Sequence, residues 1–133
     1  MQLQLGVKVI IKNTEGQYLF IERSEPLGNE TVLSWDIPGG RIDPSERLQD
    51  ALKREVLEEL GIELTATSTL LNAQDIFVPA KDLHVVRLTY IASQDITAIQ
   101  LSDEHQNYKW ASIDEIMQHN VDPYLKDSLQ LVS

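Results

Sequence analysis

Hydrophobic and polar positions divide the chain into short extended runs around one long helical stretch. Gln4–Ile11 alternates polar and apolar residues loosely, which predicts a strand. Asn13–Gly16 reads as a turn and Gln17–Glu22 as a second strand, so the two are expected to form a hairpin. Ser24–Ser34 carries Pro26, Gly28 and Asn29 and predicts a long loop, while Gly39 and Gly40 mark a tight turn. Leu48, Leu52, Val56 and Leu60 then recur at every fourth position, a drifting apolar stripe for a helix to bury. Its ends carry signals of their own. Asp43 suits the N-cap, Pro44 the first helical position, Glu46 the capping box, and Gly61 the left-handed residue after the last turn. The helix is therefore expected over Pro44–Leu60.

Beyond it, Ile62–Leu64 and Thr69–Phe77 read as extended, and His84–Ala92 is the clearest strand of the second half. Asn107–Trp110 is a short candidate strand. Ser112 opens a second helix with Glu115 as its capping-box partner, and Pro123–Leu131 a final short one. Strands on both sides of one long helix, with further helix near the end, predict a layered mixed α/β fold.

Composition narrows the function. A chain of 133 residues with 42% hydrophobic content is expected to form one domain, 1–133, with a core of its own. No run approaches the 18 apolar residues of a membrane-spanning helix. The segment MQLQLGVKVI lacks a basic leader and already reads as a strand, so a cytoplasmic location is expected. Cysteine is absent, which excludes disulfides and thiolate metal sites. The net charge of −10 repels a nucleic-acid backbone and argues against a polymeric nucleic-acid partner. A small phosphorylated ligand remains open, because bound divalent cations would reverse the local field.

The candidate chemistry sits near the end of the long helix. Glu55, Glu58 and Glu59 fall within five positions, and residues three and four apart share a helix face. A glutamate-rich helix is usually a solvated face. Here, however, three carboxylates repel one another at the end where the helix dipole is already negative. A broken local rule of this kind points to a site. Oxygen donors of this type suit Mg²⁺ or Mn²⁺ rather than zinc. Glu55 and Glu59, four apart, are the expected principal ligands, with Glu58 on the adjoining edge for a second ion or a metal-bound water. Glu58 and Glu59 are both expected to be exposed.

The same stretch, GRIDPSERLQDALKREVLEELGI, places Gly40, Glu46, Arg54, Glu55, Val56, Glu58, Glu59, Gly61 and Ile62 at the fixed positions of G-x5-E-x7-R-E-U-x-E-E-x-G-U, with U a bulky aliphatic residue. This is the signature of the Nudix hydrolases, and the chain resembles that family at every fixed position. The preceding WDIPGG resembles the usual lead-in.

The resemblance implies a mixed sheet sandwiched between helices (α/β/α), with the signature forming a loop–helix–loop. It implies Mg²⁺-dependent hydrolysis of a nucleoside diphosphate linked to another group, with Mn²⁺ as a substitute cofactor. It adds the Gly39 carbonyl as a metal ligand, and gives Arg54 and Glu46 the task of orienting the glutamates. LSDEHQNYKW resembles a second region in which a loop Glu or His completes the site, so Glu104 is a candidate base and His105 a group that titrates near neutral pH. Glu55 and Glu58 are the alternative bases.

Arg23, Arg41 and His105 are candidates for substrate binding, the two arginines through phosphate. Trp35, Phe77 and Tyr108 could stack on a base, but core packing is the expectation for each. His84 and His119 lack metal-ligand spacing. The expected activity is nucleoside triphosphate pyrophosphohydrolysis, with sugar nucleotides such as GDP-mannose, or ADP-ribose, as rival substrates. A non-catalytic nucleotide-binding module is the rival class. The resemblance also makes a homodimer an assembly to test.

Overall fold

The structure is a computed structural model, and it describes residues 1–132. Among them, seven strands form one mixed sheet: β1 (Gln2–Lys12), β2 (Tyr18–Arg23), β3 (Trp35–Asp36), β4 (Gly39–Arg41), β5 (Thr69–Val78), β6 (Leu83–Ser93) and β7 (His105–Ala111). Three helices accompany it, α1 (Leu48–Leu60), α2 (Ile113–Ile116) and α3 (Pro123–Leu129). No helix among the described residues is long and apolar enough to cross a membrane.

β1 is the spine. It runs parallel to β6 in unbroken register from Gln2 opposite Leu83 to Lys12 opposite Ser93, and β5 closes that edge of the sheet. On its other side β1 meets β2 only at Lys12 opposite Tyr18, and then β4, with Lys8 opposite Gly39. The expected hairpin therefore holds at its turn, where the Asn13 side chain accepts from the Glu15 and Gln17 N–H groups at 3.0 and 2.9 Å. The two strands then splay apart. β2 goes on to pair with β3 and β7, and β4 takes its place beside β1.

Strand alternation sorts the apolar side chains into two layers. Val7, Val9, Ile11, Leu19 and Ile21 pack against Ala51, Leu52, Val56 and Leu60 of α1. Ile10, Tyr18 and Phe20 face the opposite way and pack with Ile116, Leu125 and Leu129 of α2 and α3. The sheet is thus sandwiched between helices, as expected. Each fully buried Val, Leu or Ile contributes roughly 1.5–3 kcal/mol to this arrangement.

Several local expectations are corrected. The long helix begins at Leu48 rather than Pro44. Half of the capping box survives, with Glu46 Oε1 accepting from the Asp43 N–H at 3.0 Å, but Ser45 adopts a left-handed φ of 68° and turns the chain before the helix starts. Leu48 is left exposed. The end is as expected, with Gly61 at φ 67° and its N–H donating to the Leu57 carbonyl at 3.0 Å. Ile62–Leu64 is irregular rather than extended. A strand partner is unnecessary there, because the Gln94 side chain accepts from Thr65 N and Ala66 N and donates to the Glu63 carbonyl, each at 2.9 Å. Gly39 and Gly40 belong to a short strand rather than to a simple turn. Trp35 is buried, but Phe77 and Tyr108 are exposed; Phe77 stacks on His84, which pairs with Asp75 at 2.8 Å.

The left-handed Ser45 can be checked by substitution. Ser45→Val is expected to lower the unfolding free energy by about 1–2 kcal/mol in denaturant titrations, because a branched Cβ resists positive φ. Ser45→Gly should show no such loss.

Candidate active site

The last carbonyls of a helix lack partners within it. At the end of α1 those of Glu59 and Leu60 accept from the Ser102 and Gln100 N–H groups, at 3.1 and 2.9 Å. These two bonds draw a segment remote in sequence across the helix end and lead into β7. Ser24 fastens it from the other side, its N–H donating to the Glu104 carbonyl and its hydroxyl to the Asp103 carbonyl, at 2.9 and 2.8 Å. As a result, Glu59, Glu104 and His105 each bring a ligand atom within 4.8 Å of the others.

Glu59 is buried, only 5% exposed, which corrects the expectation that it faces solvent. Its Oε2 accepts from the Gly39 N–H at 3.0 Å. Burial pushes its carboxyl up to about 8, with nearby Glu55 and Asp36 adding to the rise and Lys8 and the Gly39 N–H opposing it. The glycine pair makes room for this packing. A Cβ on Gly39, which sits at φ 150°, would lie 2.1 Å from the Val7 carbonyl oxygen. A Cβ on Gly40 would lie 2.6 Å from Glu55 Oε1.

Arg54 organises the remaining signature carboxylates. Its Nε and Nη2 donate to the two Glu46 oxygens at 2.7 and 2.9 Å, and its Nη1 donates to Glu55 Oε1 at 2.9 Å. Nη2 also donates to the Arg41 carbonyl at 2.9 Å, and both Glu58 oxygens stand 3.5 Å from Nη1. The Arg54 hydrogen bonds hold Glu46 down to about 2, whereas burial raises Glu55 against the pull of the same guanidinium. Glu58 is exposed, as expected.

His105 is 93% shielded, with 7% of its surface exposed, and its Nδ1 has no partner among the described residues. Burial, helped by Lys8 and Arg23, lowers its pKa to about 4, so the expectation of a group titrating near neutrality is corrected. Arg23 lies opposite His105 across β2 and β7, and its Nε is likewise buried without a partner. With Ser24, Glu25, Asp103 and Glu104 it lines a cleft of about 370 Å³. Arg41 is exposed and turns away toward β1, where its Nε and Nη2 reach the Gln4 amide oxygen at 2.6 and 3.0 Å once that amide is oriented to accept.

Two charged pairs beside the site escaped sequence reasoning. Lys8 Nζ donates to Asp36 Oδ2 at 3.0 Å and to the Ile37 carbonyl at 3.1 Å. Burial alone would raise Asp36, but Lys8, then Arg87 and the Ile37 N–H, hold it below its ordinary value. Arg87 Nη1 in turn donates to Asp122 Oδ1 at 3.2 Å. A lysine set among Val7, Val9 and Ile10 in a strand was the available signal. Lys8, Arg41 and Arg87 share a small pocket of about 200 Å³ with Gly40 in its wall.

The family model of the NUDIX domain matches residues 2–132. The chain belongs to the Nudix family. It is accordingly a hydrolase of pyrophosphate bonds in small nucleotides. The nucleoside triphosphatase NudI of Escherichia coli K12 is 25% identical over 130 residues, covering 92% of this chain and 91% of that protein. A MutT Nudix hydrolase from Burkholderia pseudomallei superposes with a TM-score of 0.84 at 27% identity, covering 100% of both chains. The MutT protein of Methanosarcina mazei Go1 gives 0.81 at 26%, covering 96% of this chain and 91% of that one. The mixed α/β fold read from the sequence is that of these Nudix neighbours.

Nudix hydrolases generally use divalent metal ions, and the residues here fit one. Among the described residues, the buried Glu59 carboxylate receives a single hydrogen bond, and His105, which brings a ring nitrogen within 4.8 Å of it, has a buried Nδ1 without a partner. The neighbouring donors are all carboxylate oxygens, a set that attracts a divalent cation.

Proposed function

We propose that this Nudix domain, 1–133, is a Mg²⁺-dependent nucleoside triphosphate pyrophosphohydrolase, with Mn²⁺ as a substitute. The observation that carries the reading is the convergence of Glu59, Glu104 and His105 beside the Arg23 cleft. Similarity to a nucleoside triphosphatase along nearly the full length of both chains supports the substrate class.

The proposed division of labour follows the geometry. Glu55, Glu58, Glu59 and the Gly39 carbonyl hold the cation, which when bound acidifies a water and neutralises phosphate charge. Arg54 and Glu46 fix Glu55 in place. Arg23, which lines the cleft, offers its guanidinium to a substrate phosphate. Glu104, exposed at the cleft, takes the proton of the attacking water. Arg41 faces the Gln4 side of the sheet, so its contribution is to the field around the phosphates rather than to a direct contact.

The test is a panel of nucleoside triphosphates, GDP-mannose and ADP-ribose, assayed with Mg²⁺, with Mn²⁺ and with chelator, identifying products by chromatography. The proposal expects a nucleoside monophosphate and pyrophosphate from one or more triphosphates. Turnover confined to a sugar nucleotide would replace the substrate assignment. Tight nucleotide binding without turnover in either metal would indicate a binding module instead.

Arg54→Lys keeps the charge but loses the planar fork that spans Glu46 and Glu55. Steady-state kinetics on the substrate so identified are expected to show a 10–100-fold loss of kcat, roughly the cost of removing a group that orients metal ligands. An unchanged kcat would mean that Arg54 is an ordinary surface partner.

A further inference from the structure

We propose that a hollow on the open face of the sheet, floored by Gly6 and lined by Lys8, Arg41 and Arg87, receives the base of the nucleotide. It selects guanine and uracil, which carry a keto oxygen where adenine and cytosine carry an amino group. The assignment rests on the triphosphate reading above. It makes Lys8 and Arg87 specificity-determining residues outside the signature helix.

The hollow comes from one residue of β1. Gly6 lies inside an 11-residue strand, where glycine weakens the structure and leaves no side chain to pack. Nothing in the backbone requires it. Its φ is not positive, and a Cβ there would come no closer than 3.6 Å to the Gly40 carbonyl oxygen and 4.0 Å to Val85, which is ordinary contact. A strand glycine of this kind leaves room for a ligand to approach the main chain. Its neighbours across the sheet are Arg41 on β4 and Arg87 on β6, and Lys8 follows two residues on along the same face. Three cations thus line one cavity of about 200 Å³ in a chain of net charge −10. Pockets for whole small molecules begin at roughly 300 Å³, so this one suits a single ring system.

The side chains of the lining then set the preference, because lysine and arginine donate hydrogen bonds and accept none. Lys8 spends N–H groups on Asp36 and on the Ile37 carbonyl, at 3.0 and 3.1 Å, and its ammonium has one more to give. Arg87 donates from Nη1 to Asp122 at 3.2 Å and lies 5.6 Å over the Tyr124 ring; among the described residues its guanidinium makes no other hydrogen bond. Arg41 engages the Gln4 amide oxygen, which leaves the Gln4 amide N–H groups as further donors. Neither Asp36 nor Asp122 lines the cavity. A base edge entering it meets N–H groups that pair with a keto oxygen and oppose an amino group. The position suits a base as well. Lys8 stands opposite Gly39, whose N–H donates to Glu59 at 3.0 Å, so the hollow adjoins the acidic end of α1. With phosphates assigned to the Arg23 cleft, the hollow is left for the base.

The experiment compares kcat/KM for GTP, inosine triphosphate and UTP with that for ATP and CTP in the wild type, Gly6→Val and Arg87→Gln. Titration calorimetry with GMP and AMP reads the same preference without turnover. The keto substrates are expected to lead by about 10–100-fold, the discrimination of one good base contact. Inosine triphosphate, which keeps the keto oxygen and lacks the exocyclic amine, should behave as GTP. Gly6→Val puts a strand-favouring residue into the hollow and should raise KM for the keto substrates on the order of tenfold, with kcat little changed. Arg87→Gln supplies an acceptor and should shrink the keto lead on the order of tenfold. If circular dichroism shows that Arg87→Gln does not fold, Gly6→Val decides. Equal kcat/KM for keto and amino substrates, or a lead unchanged in the folded variants, would overturn the assignment and leave the hydrolase reading standing. If no triphosphate is hydrolysed, the triphosphate reading fails separately. Tighter binding of GMP than of AMP, lost in Gly6→Val, would then still support the hollow, and equal or absent binding would remove it.

Discussion

Glu59→Gln is expected to lower turnover by a factor on the order of 10²–10³, the loss that follows removal of one preorganised charge-stabilising group, while making the metal-free protein more stable above neutral pH. The two effects share one cause. Glu59 is buried, and its folded-state pKa is raised to about 8 from an ordinary 4.5. Between those values the native state binds more protons than the unfolded chain, so stability is fully present below pH 4.5 and declines as pH rises toward 8. The penalty reaches a few kcal/mol at its upper end. His105 works in the opposite direction, but only between about 4 and 6.5, where acidification charges the unfolded imidazole first. Above pH 6.5 the imidazole no longer contributes, and Glu59, raised to about 8, carries the decline together with any part from Glu55, which burial also raises. Thermal melts in chelator should fall between pH 6.5 and 8 for the wild type and fall much less for Glu59→Gln, and added Mg²⁺ should restore the wild-type melts. The neutral amide keeps an oxygen to accept the Gly39 N–H, so the fold is expected to survive. A wild-type melt independent of pH, or a variant with normal turnover, would count against the assignment.

The second large effect separates two adjacent glycines. Gly39→Ala is expected to cost on the order of 3 kcal/mol or more, because the new methyl meets main-chain atoms of Val7 and Lys8 and the residue must keep a φ of 150°. Insoluble expression, or a large drop in melting temperature, is the expected result. For Gly40→Ala the three nearest atoms all belong to the Glu55 carboxylate, the closest being Oε1 at 2.6 Å, and a side chain can move where a backbone cannot. Its melting temperature should change little, while the metal concentration giving half-maximal activity rises because Glu55 has been displaced. Equal losses of stability in both variants would show that the crowding at Gly40 is structural.

Much of this was legible in the chain because it is local. Gly61 ends α1, Ser112 caps α2 with its hydroxyl accepting from the Glu115 N–H at 3.1 Å, and Pro123 opens α3, each by chemistry confined to one turn. The signature carboxylates were read from spacing alone. What the chain concealed depends on distant partners. The early helix start failed because Ser45 takes a left-handed φ of 68°, which turns the chain before Leu48, and nothing in the residue type announces it. Glu59 is buried by β4 and by the segment that follows Gln100, and neither leaves a mark on the helix's own periodicity. The Lys8–Asp36 and Arg87–Asp122 pairs join strands and helices 28 and 35 positions apart. Phe77 and Tyr108 were expected in the core, but strand alternation turns them outward.

The unbroken register of β1 with β6 has a consequence for quality control. Because successive side chains on a strand point to opposite faces, a slip of one position would turn Lys8 under α1 and expel Val7 and Val9 into the layer beside Asp36. Such a misthreaded chain would lose its hydrophobic packing and its electrostatic centre in one event. Folding yield and active-site titration should therefore rise and fall together in any collection of β1 variants, since the alignment that builds the interior also aims the lysine.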